Sequence, residues 1–265
     1  MAHEDKPLVT YATVDHVAVL TLDAPPANTY SHEMMLQLDA AILQARFDTN
    51  VQVIVITGAG DKFFCAGADI GMLQEADPTF KYYFCLHANE TISRLEQTPK
   101  LVIAALNGHT VGGGLEVALA ADLRVARKDC GKLGLPEVAL GVLPGTGGTQ
   151  RLARMLGKSK AIELMVSAET FGTDRALELG LVNQVFEGEN FQAQVLEYAA
   201  SFTTPGKASM AVGHIKRSVQ TGSELSLEAG LALERELQAK LFESADAAEG
   251  IRAYNERRKP EFGGA

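Results

Sequence analysis

Twice the chain runs an unbroken apolar stretch straight into a glycine turn: "VQVIVITGAG" at 51–60 and "KLVIAALNG" at 100–108. Apolar runs this short and without polar alternation belong to strands covered on both faces, as in a parallel sheet flanked by helices. "VAVLTL" at 17–22 is a third such run, stopped by the two prolines of "DAPPAN", and "DLRVAR" at 122–127 reads as a fourth. Between them, Ser31 is placed to cap a helix that carries Met34, Leu38, Ile42 and Ala45 on one face. A second helix is expected around residues 79–97. Strands alternating with helices imply parallel βαβ units, hence an α/β fold.

From Lys158 the pattern turns helical, through "KSKAIELMVSA", "TDRALELGL" and "FQAQVLEYAASF". After Pro205 and Gly206 come two long amphipathic stretches, "ASMAVGHIKRSVQTG" and "SLEAGLALERELQAKLFES", and a short last helix. The expected division is an α/β core over residues 1–200 and a helical C-terminal region over 201–265. A tail with apolar and charged faces suits docking on a second copy, so an oligomer is expected.

Bulk composition excludes several classes. With 33 acidic and 24 basic residues the net charge is −9, which argues against binding nucleic acid through its phosphates. The three cysteines, Cys65, Cys85 and Cys130, are far apart and odd in number, which suits reduced thiols rather than a disulfide framework or a zinc site. No apolar run reaches the roughly 18 residues of a membrane span, and "MAHEDKP" does not read as a secretory signal. The expected location is cytoplasmic, or the mitochondrial matrix if a transit peptide has been removed.

Three apparent motifs fail. "LGKSK" has Leu152 where a P-loop needs its first glycine; "HEMML" has Leu36 where a zinc helix needs its second histidine; "GTGGTQ" lacks the last glycine of a dinucleotide fingerprint. Two glycine loops survive, "FFCAGADIGM" at 63–72 and "NGHTVGGGLE" at 107–116. Both follow parallel-sheet strands and lead into helices, whose first N–H groups lack intrahelical partners. Converging N–H groups there can hold an oxygen that gains negative charge. The plainer reading is tight turns and close helix–strand packing. Glu116 follows at once, within a helix that is apolar on nearly every side. A carboxylate buried there is either a proton-transfer group or half of an ion pair, with Arg124 as partner. Glu137, in "GLPEVALG", also has apolar neighbours; alone it would suit the start of a helix.

"CAGADI", "NGHTVGGGLEVALAADLRVA" and "GLPEVALGVLPGTGGTQRLAR" together resemble, in order and spacing, the three signature blocks of the crotonase (enoyl-CoA hydratase/isomerase) superfamily. The likeness runs over nearly the whole chain. It implies a ClpP/crotonase-like spiral of ββα units with a helical C-terminal region, assembled as a homotrimer or a dimer of trimers. It further implies an oxyanion hole from the N–H groups of Ala68 and Gly113, with Glu116 and Glu137 as the catalytic carboxylates. The Gly145 N–H would position a water. Ala66, Asp69, Ile70 and Pro136 would line the substrate and coenzyme A site. The loop "DAPPANTYS" lacks the basic residue that many relatives place near the coenzyme A phosphates; Lys62, or Lys259 from a neighbouring subunit, is the substitute. Phe242 matches an aromatic that closes over the acyl-CoA, though core packing would explain it equally.

The activity implied is addition of water to a 2-trans-enoyl-CoA, giving a 3-hydroxyacyl-CoA. No metal and no cofactor is implied beyond the coenzyme A of the substrate. Two carboxylates favour hydration over double-bond migration, because isomerases of the superfamily commonly keep one. The alternatives are a Δ3,Δ2-enoyl-CoA isomerase, a hydratase of a specialised acyl-CoA, and, less in keeping with the charge, an RNA-binding relative without catalysis.

Overall fold

A computed structural model describes residues 6–264. Its strands are β1 (Val9–Val14), β2 (Val17–Leu22), β3 (Val53–Gly58), β4 (Phe63–Cys65), β5 (Leu101–Leu106), β6 (His109–Val111), β7 (Leu123–Arg127), β8 (Leu133–Gly134), β9 (Thr170–Phe171) and β10 (Gln184–Phe186). Its helices are α1 (His32–Phe47), α2 (Ile70–Glu75), α3 (Pro78–Gln97), α4 (Gly113–Leu119), α5 (Gly148–Leu156), α6 (Lys158–Val166), α7 (Thr173–Glu178), α8 (Phe191–Ala200), α9 (Ser209–Gly222), α10 (Leu227–Phe242) and α11 (Ala245–Glu256).

Six strands form one sheet in the order β1-β2-β3-β5-β7-β10, and four short strands form another in the order β4-β6-β8-β9. The chain visits the sheets alternately. β3, β5 and β7 are parallel neighbours in the large sheet, and β4, β6 and β8 are parallel neighbours in the small one. Each turn thus lays down a long strand, a short strand and a helical segment, and steps one strand along both sheets. That is a spiral of ββα units.

The large sheet is buried on both sides, which is why its central strands need no polar alternation. Ile54, Ile56, Val102, Ala104 and Leu106 share a core with Leu38 and Ile42 of α1 and Ile92 of α3. Val53, Val55, Ile103 and Ala105 meet Phe191, Val195 and Ala199 of α8 on the opposite side. Helix α1 forms as its spacing predicts: the Ser31 hydroxyl accepts from the Met34 N–H, and Met34, Leu38, Ile42 and Ala45 are buried.

The small sheet and β1 are not apparent as apolar runs. β4, β6, β8 and β9 are two or three residues long, too short for a period to register. β1 is exposed over its second half and is held by antiparallel pairing with β2. The helical segment beyond residue 200 is tied to the core by a buried ion pair, Lys216 Nζ to Asp122 Oδ2 at 2.8 Å. The same ammonium donates to the carbonyls of Leu95 and Lys100.

Asn107 locks the crossing between the two sheets. Its Oδ1 accepts from Gly58 N–H and Thr57 Oγ1, while Nδ2 donates to the carbonyls of Gly58, Gly60 and Phe63. Replacing it leaves several buried groups without partners. Asn107→Ala is expected to lower unfolding free energy by about 2–4 kcal/mol, measured by urea denaturation; a loss under about 1 kcal/mol would mean that the loop repairs itself.

Candidate active site

The sequence places three glycines before Glu116, and each has a separate steric reason. Gly112 adopts φ 56° and ψ −136°, a conformation open to glycine. A Cβ on Gly113 would overlap the Tyr30 phenolic oxygen, and one on Gly114 would overlap the Cys65 carbonyl. The helix start is therefore pressed against both the "CAGAD" loop and Tyr30.

The Ala68 turn is placed by a parallel bridge to Tyr30. Tyr30 N–H donates to the Gly67 carbonyl at 2.9 Å, and Asp69 N–H donates to the Tyr30 carbonyl at 3.0 Å. In a parallel bridge of this kind the middle residue turns its own N–H to the other side, so that of Ala68 faces away from Tyr30. A Cβ on Gly67 would come within 2.9 Å of the Gly113 nitrogen, so the two loops touch. Gly113 is the first residue of α4, where an N–H has no intrahelical acceptor.

Glu116 is 2% exposed. Its Oε1 accepts from the N–H groups of Thr146 at 2.7 Å and Gly148 at 2.6 Å. Gly148 opens α5, so the carboxylate sits at a helix N-terminus, where negative charge is favoured. Burial raises its pKa; the two N–H groups and the Arg151 guanidinium act in the opposite direction. The ion pair with Arg124 does not form. Arg124 instead donates to the carbonyls of Leu181, Ala118 and Ala121.

Glu137 begins a 3₁₀ turn, Glu137–Leu140, after Pro136. Both of its carboxylate oxygens are buried and lack a hydrogen-bond partner among the described residues. A Cβ on Gly112 would lie 3.1 Å from its Oε1, so it faces the glycine loop. Burial, and next the negative charge of Glu116, push its pKa up to about 7. One carboxylate is thus anchored by backbone donors, and the other is uncommitted and titrates near neutrality.

The remaining expected residues divide into two groups. Ala66 donates its N–H to the Ala27 carbonyl, Asp69 caps α2 by accepting from the Met72 N–H, and Ile70 is exposed. The Pro136 carbonyl accepts from Ala139 N–H, and that of Gly145 accepts from Asn89 Nδ2. These positions all adjoin the two loops or the 137–148 segment. Lys62 is exposed, with its ammonium 5.6 Å from the centre of the Phe63 ring. Lys259 is exposed beyond α11, and Phe242, on α10, is 64% exposed, so packing in this protomer's core does not account for it. Tyr30, Thr146 and Gly148 escaped the sequence reading. Their signal was faint: an aromatic just before a helix cap, and a threonine within a run of glycines.

Among the described residues, no group of three or more His, Cys, Asp or Glu side chains is disposed to hold a metal ion, and no helix is long and apolar enough to cross a membrane.

The family profile described as enoyl-CoA hydratase/isomerase matches residues 12–265. A probable enoyl-CoA hydratase of Bacillus subtilis (strain 168) is 39% identical over 269 residues, covering 97% of this chain and 98% of the relative. A short-chain-enoyl-CoA hydratase of Clostridium acetobutylicum is 36% identical over 246 residues, covering 92% and 93%. A crystal structure of an enoyl-CoA hydratase from Geobacillus kaustophilus HTA426 superposes with TM-score 0.95 at 44% identity, covering 98% of both chains. The spiral of ββα units is therefore the crotonase fold. The chain belongs to the enoyl-CoA hydratase/isomerase family.

The raised Glu137 pKa has a consequence for stability. In the folded chain this carboxyl holds its proton up to about pH 7, against an ordinary value of 4.5. Folding therefore binds a proton between those values, and Glu137's contribution to stability falls as pH rises through that window. Glu137→Gln should be more resistant to urea than the parent at pH 8, with the gap closing towards pH 4.5. An equal gap at both pH values would show that the carboxyl does not titrate abnormally.

Proposed function

We propose that this chain is an enoyl-CoA hydratase, adding water syn across the double bond of a 2-trans-enoyl-CoA to form a 3-hydroxyacyl-CoA. The observation that carries this reading is the unequal carboxyl pair: Glu116 clamped by two backbone N–H groups, and Glu137 buried, unpartnered and titrating near pH 7. Hydration needs a base for the water and an acid for carbon, and a group poised near neutrality serves either role.

In this reading the N–H groups of Ala68 and Gly113 donate to the thioester oxygen. They stabilise the enolate that forms as water oxygen bonds to C3 and the C2–C3 π electrons move towards the carbonyl. Glu116 and Glu137 hold the water between them, with the Gly145 N–H as a third contact. The water loses one proton to the pair, and the pair delivers one to C2 on the same face. Ala66, Asp69, Ile70, Pro136 and Lys62 line the path of the coenzyme A moiety. The reaction uses no cofactor beyond that moiety.

A homotrimer, or a dimer of trimers, is proposed as the working assembly. Ile215 and Val219 on α9 and Phe242 on α10 are each more than 60% exposed, as is Leu143 beside the site; apolar side chains in such numbers call for a partner. Phe242 and Lys259 would then serve the site of a neighbouring subunit. Light scattering should return three or six protomer masses, and a monomeric mass would reject the assembly.

Crotonyl-CoA should lose its conjugated-enoyl absorbance in the presence of the protein. Glu116→Gln and Glu137→Gln should each lower kcat by about 10²–10⁴-fold, the usual weight of a general acid or base. Hydration surviving either substitution within tenfold would sink the two-carboxylate mechanism. Conversion of a 3-enoyl-CoA to its 2-enoyl isomer without hydration of crotonyl-CoA would replace the hydratase by the isomerase.

A further inference from the structure

Tyr30 is buried to 2% exposure and touches three separate parts of the site. Its backbone holds the Ala68 turn through the bridge to Gly67 and Asp69. Its phenol occupies the space that a side chain on Gly113 would need. Its Oη lies 3.1 Å from Thr146 Oγ1, and Thr146 N–H is one of the two donors on Glu116. The ring is backed by Phe84 at a centroid distance of 5.9 Å.

We propose that Tyr30 is a positioning residue for Glu116: the hydrogen bond between its phenol and Thr146 Oγ1 holds Thr146, and with it the N–H that Thr146 donates to the Glu116 carboxylate, in place. The proposal rests on Glu116 being one of the reacting pair. Burial, and then the charge of Glu116, raise the phenol's pKa well above its ordinary range, so Oη stays protonated and its bond to Thr146 Oγ1 joins two neutral hydroxyls. A Thr146 whose side chain is held keeps its N–H aimed at Glu116 Oε1, and that N–H lowers the pKa of Glu116.

Other titratable and charged groups also face Glu116. Arg151 of α5 lowers its pKa; Glu137 of the 3₁₀ turn and Cys85 of α3 have theirs raised by it. Arg151 is itself held by Glu96 at 2.7–2.8 Å and by the Thr146 carbonyl. Cys65 of β4 lies on the Tyr30 side.

The test compares Tyr30→Phe, which keeps the ring against Gly113, with Thr146→Val, which removes Oγ1 and keeps the backbone N–H group. In both, kcat for crotonyl-CoA hydration should fall roughly five- to tenfold, the weight of one buried hydrogen bond, with KM within about twofold. The acidic limb of the kcat/KM profile should move to higher pH. So should the ¹³C titration of the Glu116 carboxyl, assigned by its loss in Glu116→Gln. The double variant should be no worse than the weaker single one. A folded Tyr30→Phe protein with an unshifted Glu116 titration overturns the proposal, because mere packing would leave that midpoint in place. If the parent does not hydrate crotonyl-CoA, the hydratase reading fails, and the carboxyl titration still decides the role of Tyr30.

Discussion

A carboxylate at the centre of a buried helix must find donors, and much of the site follows from how Glu116 finds them. Helix α4 is enclosed along its whole length, so bulk solvent does not surround the charge. The chain answers by bringing the N-terminus of α5 onto it, with Thr146 and Gly148 donating. That approach requires glycine at 148, where a Cβ would come within 3.0 Å of Glu116 Oε1. On the same helix, Arg151 turns back onto the Thr146 carbonyl and pairs with Glu96 of α3. One buried charge thus organises a loop and a helix start.

The spiral explains why the two loops meet. Each turn of chain steps one strand along the large sheet and one along the small sheet, so equivalent positions of successive turns become neighbours. The segment after β4 and the segment after β6 are equivalent in this sense, and they carry Ala68 and Gly113. Asn107 sets the spacing by joining the end of β3 to the start of β4 from the end of β5. Tyr30 sets it from the other side. Two N–H groups separated by 45 positions in sequence are thereby held in one small region without a single residue of the site lying inside a long strand.

Glu137 shows the opposite treatment of a carboxylate. It belongs to a short 3₁₀ turn followed by Gly141 in the left-handed conformation, and among the described residues neither of its carboxylate oxygens has a hydrogen-bond partner. Val138, Leu140, Val142 and Leu143 around it are exposed in the single protomer. The same kind of side chain is stabilised at one position and left unsatisfied at the next, and the difference in proton affinity comes from that contrast.

Local sequence determined the long strands, the capped helix α1, the run of C-terminal helices and the glycine loops, because these depend on periodicity, capping and turn chemistry within a few residues. It also marked Glu116 as anomalous, since a charge in an apolar helix is visible without any fold. It carried too little signal for the small sheet, whose two- and three-residue strands exist only through pairing across turns of the spiral. It left the partner of Glu116 open, with Arg124 as the candidate for an ion pair, and that pair does not form. Tertiary structure alone decided that the donors are backbone N–H groups some 30 residues away, and that Tyr30 fills the space left by Gly113. Which atoms meet a buried charge depends on long-range packing, and backbone N–H groups have no letter in the sequence.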